Sequence, residues 1–425
     1  MTLIYVDIVF WRNFKNIRRG EVVNFLWGLL GITVVLGIAF LLSGAKKSIN
    51  PRTIFVGLAI QVSFAFIVLK WETGREVLLW VSGKVQNVID FAGEGIAFVF
   101  GPAADTEGFG FVFAFQVLTI IIFFSSLIAV LYYLGIMQWF IKLLGGALSK
   151  LLGTSKAESV SAAANIFVGQ TEAPLVIRPF INGMTRSELF AVMTGGLASV
   201  AGSTLAGYAL LGVPLEYLIA ASFMAAPAGL IMAKIMMPET EEVVEREFVM
   251  EKDDQAVNVV DAAARGASDG LQLALNVGAM LLAFIALIAL LNGALGGISG
   301  WFGFEGVTIQ GILGFIFAPL AWAIGVPWAE AVQAGSFIGQ KLVLNEFVAY
   351  TAFAPEIPNL SPKTVIIVSF ALCGFANLSS LAILLGGLGA MAPKRRPDIA
   401  RLGIRAVAGG MLASLLSAAI AGMFI

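Results

Sequence analysis

The sequence predicts an all-α polytopic membrane protein: about eight transmembrane helices, two re-entrant hairpins, interfacial helices and an inverted repeat. Composition, continuous apolar runs and internal self-similarity carry that expectation. Charged residues are 12% of the 425-residue chain and apolar ones 59%, where soluble domains carry roughly twice that charge. A soluble fold could not cover so much apolar surface, whereas lipid can surround it. The apolar runs are continuous rather than alternating, which selects helices over the strands of an outer-membrane barrel.

The elements follow in chain order. Residues 1–23 are an apolar stretch followed by Arg12, Lys15, Arg18 and Arg19. That order is wrong for a secretory signal, so they read as a terminal or interfacial helix. Spans follow near 24–43 and 53–70, then an amphipathic interfacial helix over 76–103 and a span over 111–134. Further spans fall near 187–211, 216–236, 268–292, 364–390 and 402–424. The acidic run from Glu239 to Asp254 reads as a solvated loop. Lys46, Lys47 and Arg52 mark the first loop as cytoplasmic. The same side takes Lys142, Lys150, Lys156, Arg178 and Arg186, and the cluster from Lys394 to Arg405. Both termini then lie on the periplasmic side; the basic residues at 12–19 pull the other way.

The chain copies itself. Leu127–Leu131 answers Leu287–Leu291, Gly153 and Glu158 answer Gly325 and Glu330, and Phe167-Val168-Gly169-Gln170 answers Phe337-Ile338-Gly339-Gln340. Gly196 and Ser199 answer Gly374 and Asn377. Each copy has a span, an amphipathic segment, a polar-tipped segment and another span. The polar-tipped pieces, 157–182 and 329–354, are interrupted at Gly169–Pro174 and at Gly339-Gln340-Lys341. Their arms are too short to cross, so they read as hairpins that enter and leave on one side. An odd number of crossings then separates the copies, which inverts the second. Inverted repeats in a membrane point to a transporter whose site lies where the interrupted elements meet.

The chemistry sits at those interruptions. Glu172, beside Gln170 and Thr171, and Glu346, after Asn345, are carboxylates at membrane depth, each costly without a partner. An ionised carboxylate offers only acceptors, which suits paired sugar hydroxyls; for Glu346 the rival reading is an ion pair with Lys341. Small polar runs at 195–204 and 374–380 break two apolar spans, by unwinding or for tight helix packing. Asn165 and Ser199 offer the neutral oxygens that an alkali cation takes. The chain has no histidine and one cysteine. Its one GxSxG match, Gly266–Gly270, therefore lacks a base and is a chance pattern. An enzyme is not expected.

Three motifs are together highly specific: Ser161–Leu175, Asn345-Glu346-Phe347-Val348-Ala349-Tyr350, and Cys373–Ser380. With them the chain resembles the concentrative nucleoside transporter family over residues 24–424, most nearly the eight-span, sodium-coupled bacterial members. The resemblance implies a homotrimer with a pathway in each protomer, a fixed scaffold, and a mobile transport domain of hairpins and broken helices. It implies base recognition by Gln170, Thr171 and Glu172, with Thr204 and Leu273 also on the base. It implies ribose binding by Glu346, Asn377 and Ser380, with Phe375 lining that side. It also implies a sodium ion held by Asn165, Val168, Ser199 and Val200.

The expected domains are an N-terminal segment (1–23), scaffold helices (24–134), a first transport half (135–236), an acidic loop (237–265), a scaffold helix (266–300) and a second transport half (301–425). The expected function is sodium-coupled import of a uridine-like nucleoside across the bacterial inner membrane by an elevator motion. The alternatives are proton coupling, or another small polar solute such as a nucleobase. The expected partners are nucleoside, Na+, the lipid bilayer and copies of the same chain, with no nucleic acid.

Overall fold

The computed structural model describes residues 2–105, 108, 110–243, 256–304 and 306–425, with the backbone alone for residues 2–19. Glu245, Glu247, Asp253 and Asp254 of the acidic run lie outside the described residues. Helices α1 (Thr2–Leu41), α2 (Pro51–Ala65) and α3 (Glu72–Phe100) come first. A π turn, Phe66–Lys70, extends α2. The first copy follows: α4 (Phe113–Tyr133), α5 (Ile136–Leu152), α6 (Lys156–Ala164), α7 (Arg178–Ile181), α8 (Arg186–Ala198), α9 (Gly202–Leu210) and α10 (Leu215–Met236). The second copy repeats that series: α11 (Val259–Trp301), α12 (Ile309–Ala323), α13 (Trp328–Val343), α14 (Glu346–Phe353), α15 (Pro362–Leu372), α16 (Ser380–Met391) and α17 (Arg396–Ala421).

Local chemistry places the helix starts. Asn50 caps α2 ahead of Pro51 at the first helical position. Ser155 with Glu158, and Thr185 with Glu188, form capping boxes on α6 and α8. Gly135 and Gly153, with φ of 78° and 70°, bound α5 in the left-handed region that a side chain resists.

Corresponding helices of the two copies pack on each other. Gly266 and Gly270 of α11 lie on α4 so closely that a Cβ at either would meet Ala129 Cβ at 2.6 Å or Ile122 Cα at 2.7 Å. The GxSxG pattern is thus a helix-packing face. Ser126 Oγ donates to Ala263 C=O across the same seam at 2.8 Å. Helix α10 packs on α17, and both pack on α8.

Burial separates two groups of helices. The apolar windows of α8–α9, α10 and α17 are 94%, 94% and 89% buried, while those of α1, α2, α4 and α11 are 22–28% buried. The second group is therefore exposed along most of its length, and the first forms the interior.

Seven segments among the described residues are long and apolar enough to cross a membrane. The expected span at 24–43 is the end of a single helix, α1, into which residues 2–23 run without a break. The span at 268–292 is the middle of a 43-residue helix, α11. The interfacial helix at 76–103 is α3, four residues earlier at its start. The expected span at 364–390 is two helices, α15 and α16, each too short to cross alone. The chain bends by 117° between α12 and α13.

The second hairpin breaks at Leu344-Asn345, not at Gly339-Gln340-Lys341, which are helical within α13. Gln and Lys are good helix formers, and Gly339 serves close packing. A Cβ there would meet Leu313 Cβ of α12 at 2.7 Å.

The basic clusters gather at one end of the molecule. Arg405 Nη2 donates to the carbonyls of Leu42 (2.9 Å) and Met236 (3.0 Å), and Arg52 Nη2 to that of Lys150 (2.9 Å). At the other end Lys363 Nζ donates to Asn24 Oδ1 at 2.7 Å, and the Phe66 and Phe424 rings meet at 5.9 Å. The start of the first apolar span and the chain's C-terminus thus share the end remote from the basic loops.

Candidate substrate and ion site

Both helix breaks lie deep in the protein and touch. Phe375 N–H donates to Ser199 C=O at 3.0 Å, and Gly374 sits where a Cβ would meet Ala198 O at 2.9 Å. The tip of hairpin one, non-helical from Asn165 to Glu172, folds over this junction. Gly202 N–H donates to Phe167 C=O at 3.0 Å, which ties the tip to the start of α9. Gly169 leaves room for its neighbour: a Cβ there would meet Glu172 Oε2 at 2.5 Å.

Hairpin two meets the same junction. Asn345 caps α14 through Val348 N–H (2.9 Å), which puts Glu346 in its first turn. Glu346 Oε1 accepts from the Tyr208 hydroxyl and Oε2 from Asn377 Nδ2, both at 3.1 Å. Asn377 is itself oriented, because its Oδ1 accepts from Ser380 N–H (2.8 Å) and Ser379 Oγ (2.7 Å). The ion pair with Lys341 is absent: Lys341 Nζ donates instead to Ala371 C=O (2.7 Å) and Ser414 Oγ (3.0 Å).

One cavity collects the candidate substrate residues. Gln170, Thr171, Glu172, Thr204, Leu273, Glu346, Phe375, Asn377 and Ser380 all line it. They come from both hairpins, α9, α11 and the second break. Gln170 Nε2 donates to Ser380 Oγ at 3.4 Å, while Gln170 Oε1 is buried with no protein partner. The starts of α9, α14 and α16 all reach the cavity, and the positive ends of their helix dipoles add partial positive charge near the two carboxylates. The wall is therefore rich in both donors and acceptors, beside an apolar face from α11.

Residue-by-residue reading missed several lining groups. Val277 and Met280 line the cavity with Leu273; their i+4 and i+7 spacing on one helix face was the signal available. Tyr208 follows Thr204 by one turn. No sequence feature pairs it with Glu346, from which 138 positions separate it.

The candidate sodium ligands are buried at the first break. Asn165 is 1% exposed; its Nδ2 donates to Ser161 C=O at 2.9 Å, and its Oδ1 has no protein partner. That oxygen lies against Gly196, 3.8 Å from where a Cβ would stand. Ser199 Oγ donates to Gly195 C=O at 3.2 Å, leaving its lone pairs free to accept. Val168 and Val200 flank the Phe167–Gly202 hydrogen bond, so their backbones lie beside the same break. An orphaned buried acceptor costs free energy unless a donor or cation meets it, and neutral oxygens at a helix break suit Na+.

Comparison with known proteins gives one answer along nearly the whole chain. Residues 30–103 and 217–422 match the N-terminal and C-terminal models of Na+-dependent nucleoside transporters, and residues 114–215 match a nucleoside recognition model. The chain is 64% identical to the uncharacterized transporter YutK of Bacillus subtilis, over 95% of this chain and 100% of that one. It is 51% identical to the nucleoside permease NupC of Helicobacter pylori, over 94% and 98%. Among solved structures, it resembles CNTnw in an inward-facing, substrate-bound state, with a TM-score of 0.90 and 58% identity over 94% of this chain and 98% of that one.

Proposed function

The chain belongs to the Na+-dependent nucleoside transporter family, and from that premise we propose that it is a symporter importing uridine-like nucleosides with sodium. The observation that carries this reading is the cavity formed where the two hairpins and the broken helices converge, with Glu346 fixed between Tyr208 and Asn377. In this reading Glu346, Asn377 and Ser380 take the ribose hydroxyls, with Phe375 beside the sugar. Gln170, Thr171 and Glu172 take the base edge, and Thr204 and Leu273 pack on the base. Sodium is cargo, held by Asn165 and Ser199 with the carbonyls of Val168 and Val200. The protein acts as a homotrimer in the bacterial inner membrane, its basic end cytoplasmic by the positive-inside rule and both termini periplasmic.

Transport follows from charge and burial. An empty cavity presents two carboxylates and open backbone groups, which cannot cross an apolar scaffold cheaply. Na+ and nucleoside together satisfy those groups. The domain of hairpins and broken helices then slides past α4 and α11 as a loaded unit. The loaded and empty forms must differ in affinity between the two facing states for the ligands to drive the motion. Purified protein in liposomes tests this: uridine uptake should rise with an inward sodium gradient. Uptake that ignores sodium and follows a proton gradient refutes the coupling, and binding of uracil but not uridine refutes the substrate.

A further inference from the structure

One charge on α11 stands at the rim of the cavity and has no part in the proposed cycle. Leu273, Val277 and Met280 line the cavity from one face of that helix. Asp269 precedes Leu273 by four positions, so it continues the same face by one turn, roughly 5.4 Å, toward the helix start. That start lies at the basic end of the molecule. The Tyr133 hydroxyl, where α4 ends and leads into α5 with Lys142 and Lys150, donates to Val257 C=O at 3.4 Å. Gly266 and Gly270 press this part of α11 against α4, so Asp269 rides on the paired helices past which the transport domain slides. Asp269 is exposed and has no ion pair among the described residues. Arg265, one turn nearer the helix start on the same face, is taken by Asp261 at 3.3 Å.

Glu172 faces this rim from the tip of hairpin one. It lines the cavity together with Leu273, is exposed, and has no ion pair among the described residues either. The charges of Glu172 and Asp269 act on each other. Tyr132 of α4 also neighbours Glu172, but a phenol is neutral near pH 7. Toward the other end of the molecule the cavity meets rings instead. Phe113, at the start of α4, lies 6.2 Å from Phe347, and Phe347 lies 4.6 Å from Tyr208. Like charges therefore meet only at the rim nearest the basic end. A domain sliding away from that end carries Glu172 away from Asp269.

We propose that Asp269 is a positioning residue that acts on the emptied transport domain through Glu172. With nucleoside and Na+ aboard, Glu172 meets the donors of the base and a nearby cation. After both leave, its charge faces Asp269 across water, and repulsion raises the free energy of the position nearest the basic end. The empty domain is thereby biased to return to the periplasmic-facing position. A charge that acts in one position and not in the other is the unequal interaction such a bias requires. The proposal rests on the sliding, nucleoside-carrying reading above.

Spin labels at positions 282 on α11 and 386 on α16 read the populations of the two positions in protein free of sodium and nucleoside. Asp269→Asn should populate the position nearest the basic end about fivefold more than wild type, the scale of one exposed like-charge pair. Asp269→Glu keeps the charge and should match wild type. In roughly 1 M choline chloride, where the Debye length falls to about 3 Å, wild type and Asp269→Asn should converge. Uridine–uridine exchange in liposomes involves no empty return and should be the same in Asp269→Asn as in wild type. Equal populations in wild type and Asp269→Asn at low salt overturn the proposal. So does an Asp269→Glu that behaves as Asp269→Asn, a difference that survives high salt, or a loss of exchange in Asp269→Asn, which would place Asp269 on the loaded domain's path. Wild-type protein that exchanges no uridine removes the nucleoside-carrying reading instead, while the populations of the empty protein still judge Asp269. One fixed distance in every variant and condition overturns both, through the motion they share.

Discussion

Glu346 shows how a single residue gains a function from its surroundings. A carboxylate at membrane depth was visible in the chain, and so was Lys341 five positions earlier as a candidate partner. The fold sends the lysine to the end of α15 and gives the carboxylate Tyr208 and Asn377 instead. Both carboxylate oxygens keep lone pairs for a ligand. Glu346→Gln and Glu172→Gln should each weaken uridine binding by about 1.5–3 kcal/mol, the scale of a hydrogen bond to a charged group. Thermal-shift titration measures this, and near-normal affinity in both removes the site. Tyr208→Phe should cost less, about 0.5–1.5 kcal/mol, because the hydroxyl orients Glu346 without being placed on the nucleoside. At the ion position, Asn165→Ala should raise the sodium concentration for half-maximal uptake by about tenfold, equivalent to roughly 1.4 kcal/mol. An unchanged sodium requirement would move the ion elsewhere.

At the scale of elements, glycine meant different things in different helices, and the sequence did not distinguish them. Gly339 resembled a helix break because Gly169 is one in the other copy. In the fold Gly339 and its neighbour Gly335 let α13 press against α12, and a Cβ on Gly335 would meet Ala318 N and Gly314 O at 2.7 Å. Gly335→Ala should therefore destabilise the protein by about 1–3 kcal/mol through overpacking. Gly293→Ala, on a part of α11 with nothing within 4 Å, should be neutral or stabilising by about 0.5–1 kcal/mol, the helix penalty of glycine. Melting temperatures in detergent compare the two, and equal effects would contradict the packing account. The break itself was recoverable from Asn345, whose side chain caps a helix. Asn-Glu before an apolar run is a start signal, and it outweighed the glycine.

For the whole molecule, the division between a buried interior (α8, α10, α17) and exposed helices (α1, α2, α4, α11) frames the proposed motion. Spin labels at positions 282 on α11 and 386 on α16 occupy exposed sites, and the buried Cys373 does not compete for label. The distance between them should change when sodium and uridine are added together and the facing state shifts. A distance that stays fixed under every loading condition would exclude sliding of α16 past α11. The repeat made this architecture partly legible, since corresponding segments of the two copies could be paired before any coordinates. The packing of α4 on α11, and of α10 on α17, gives that pairing its spatial form.

The sequence by itself determined that this chain lies in a membrane as helices, that it is a doubled unit, and that its polar chemistry sits at four interruptions. Hydropathy, repeat spacing and turn residues are local properties, so they can be read along a line. Only the tertiary structure decided which interruptions meet, that nine residues from five separate places share a cavity, and that a lysine beside a glutamate in the chain serves a different helix. Partner choice among buried polar groups is set through space, by which donor first reaches an acceptor that lipid and packing have cut off from water.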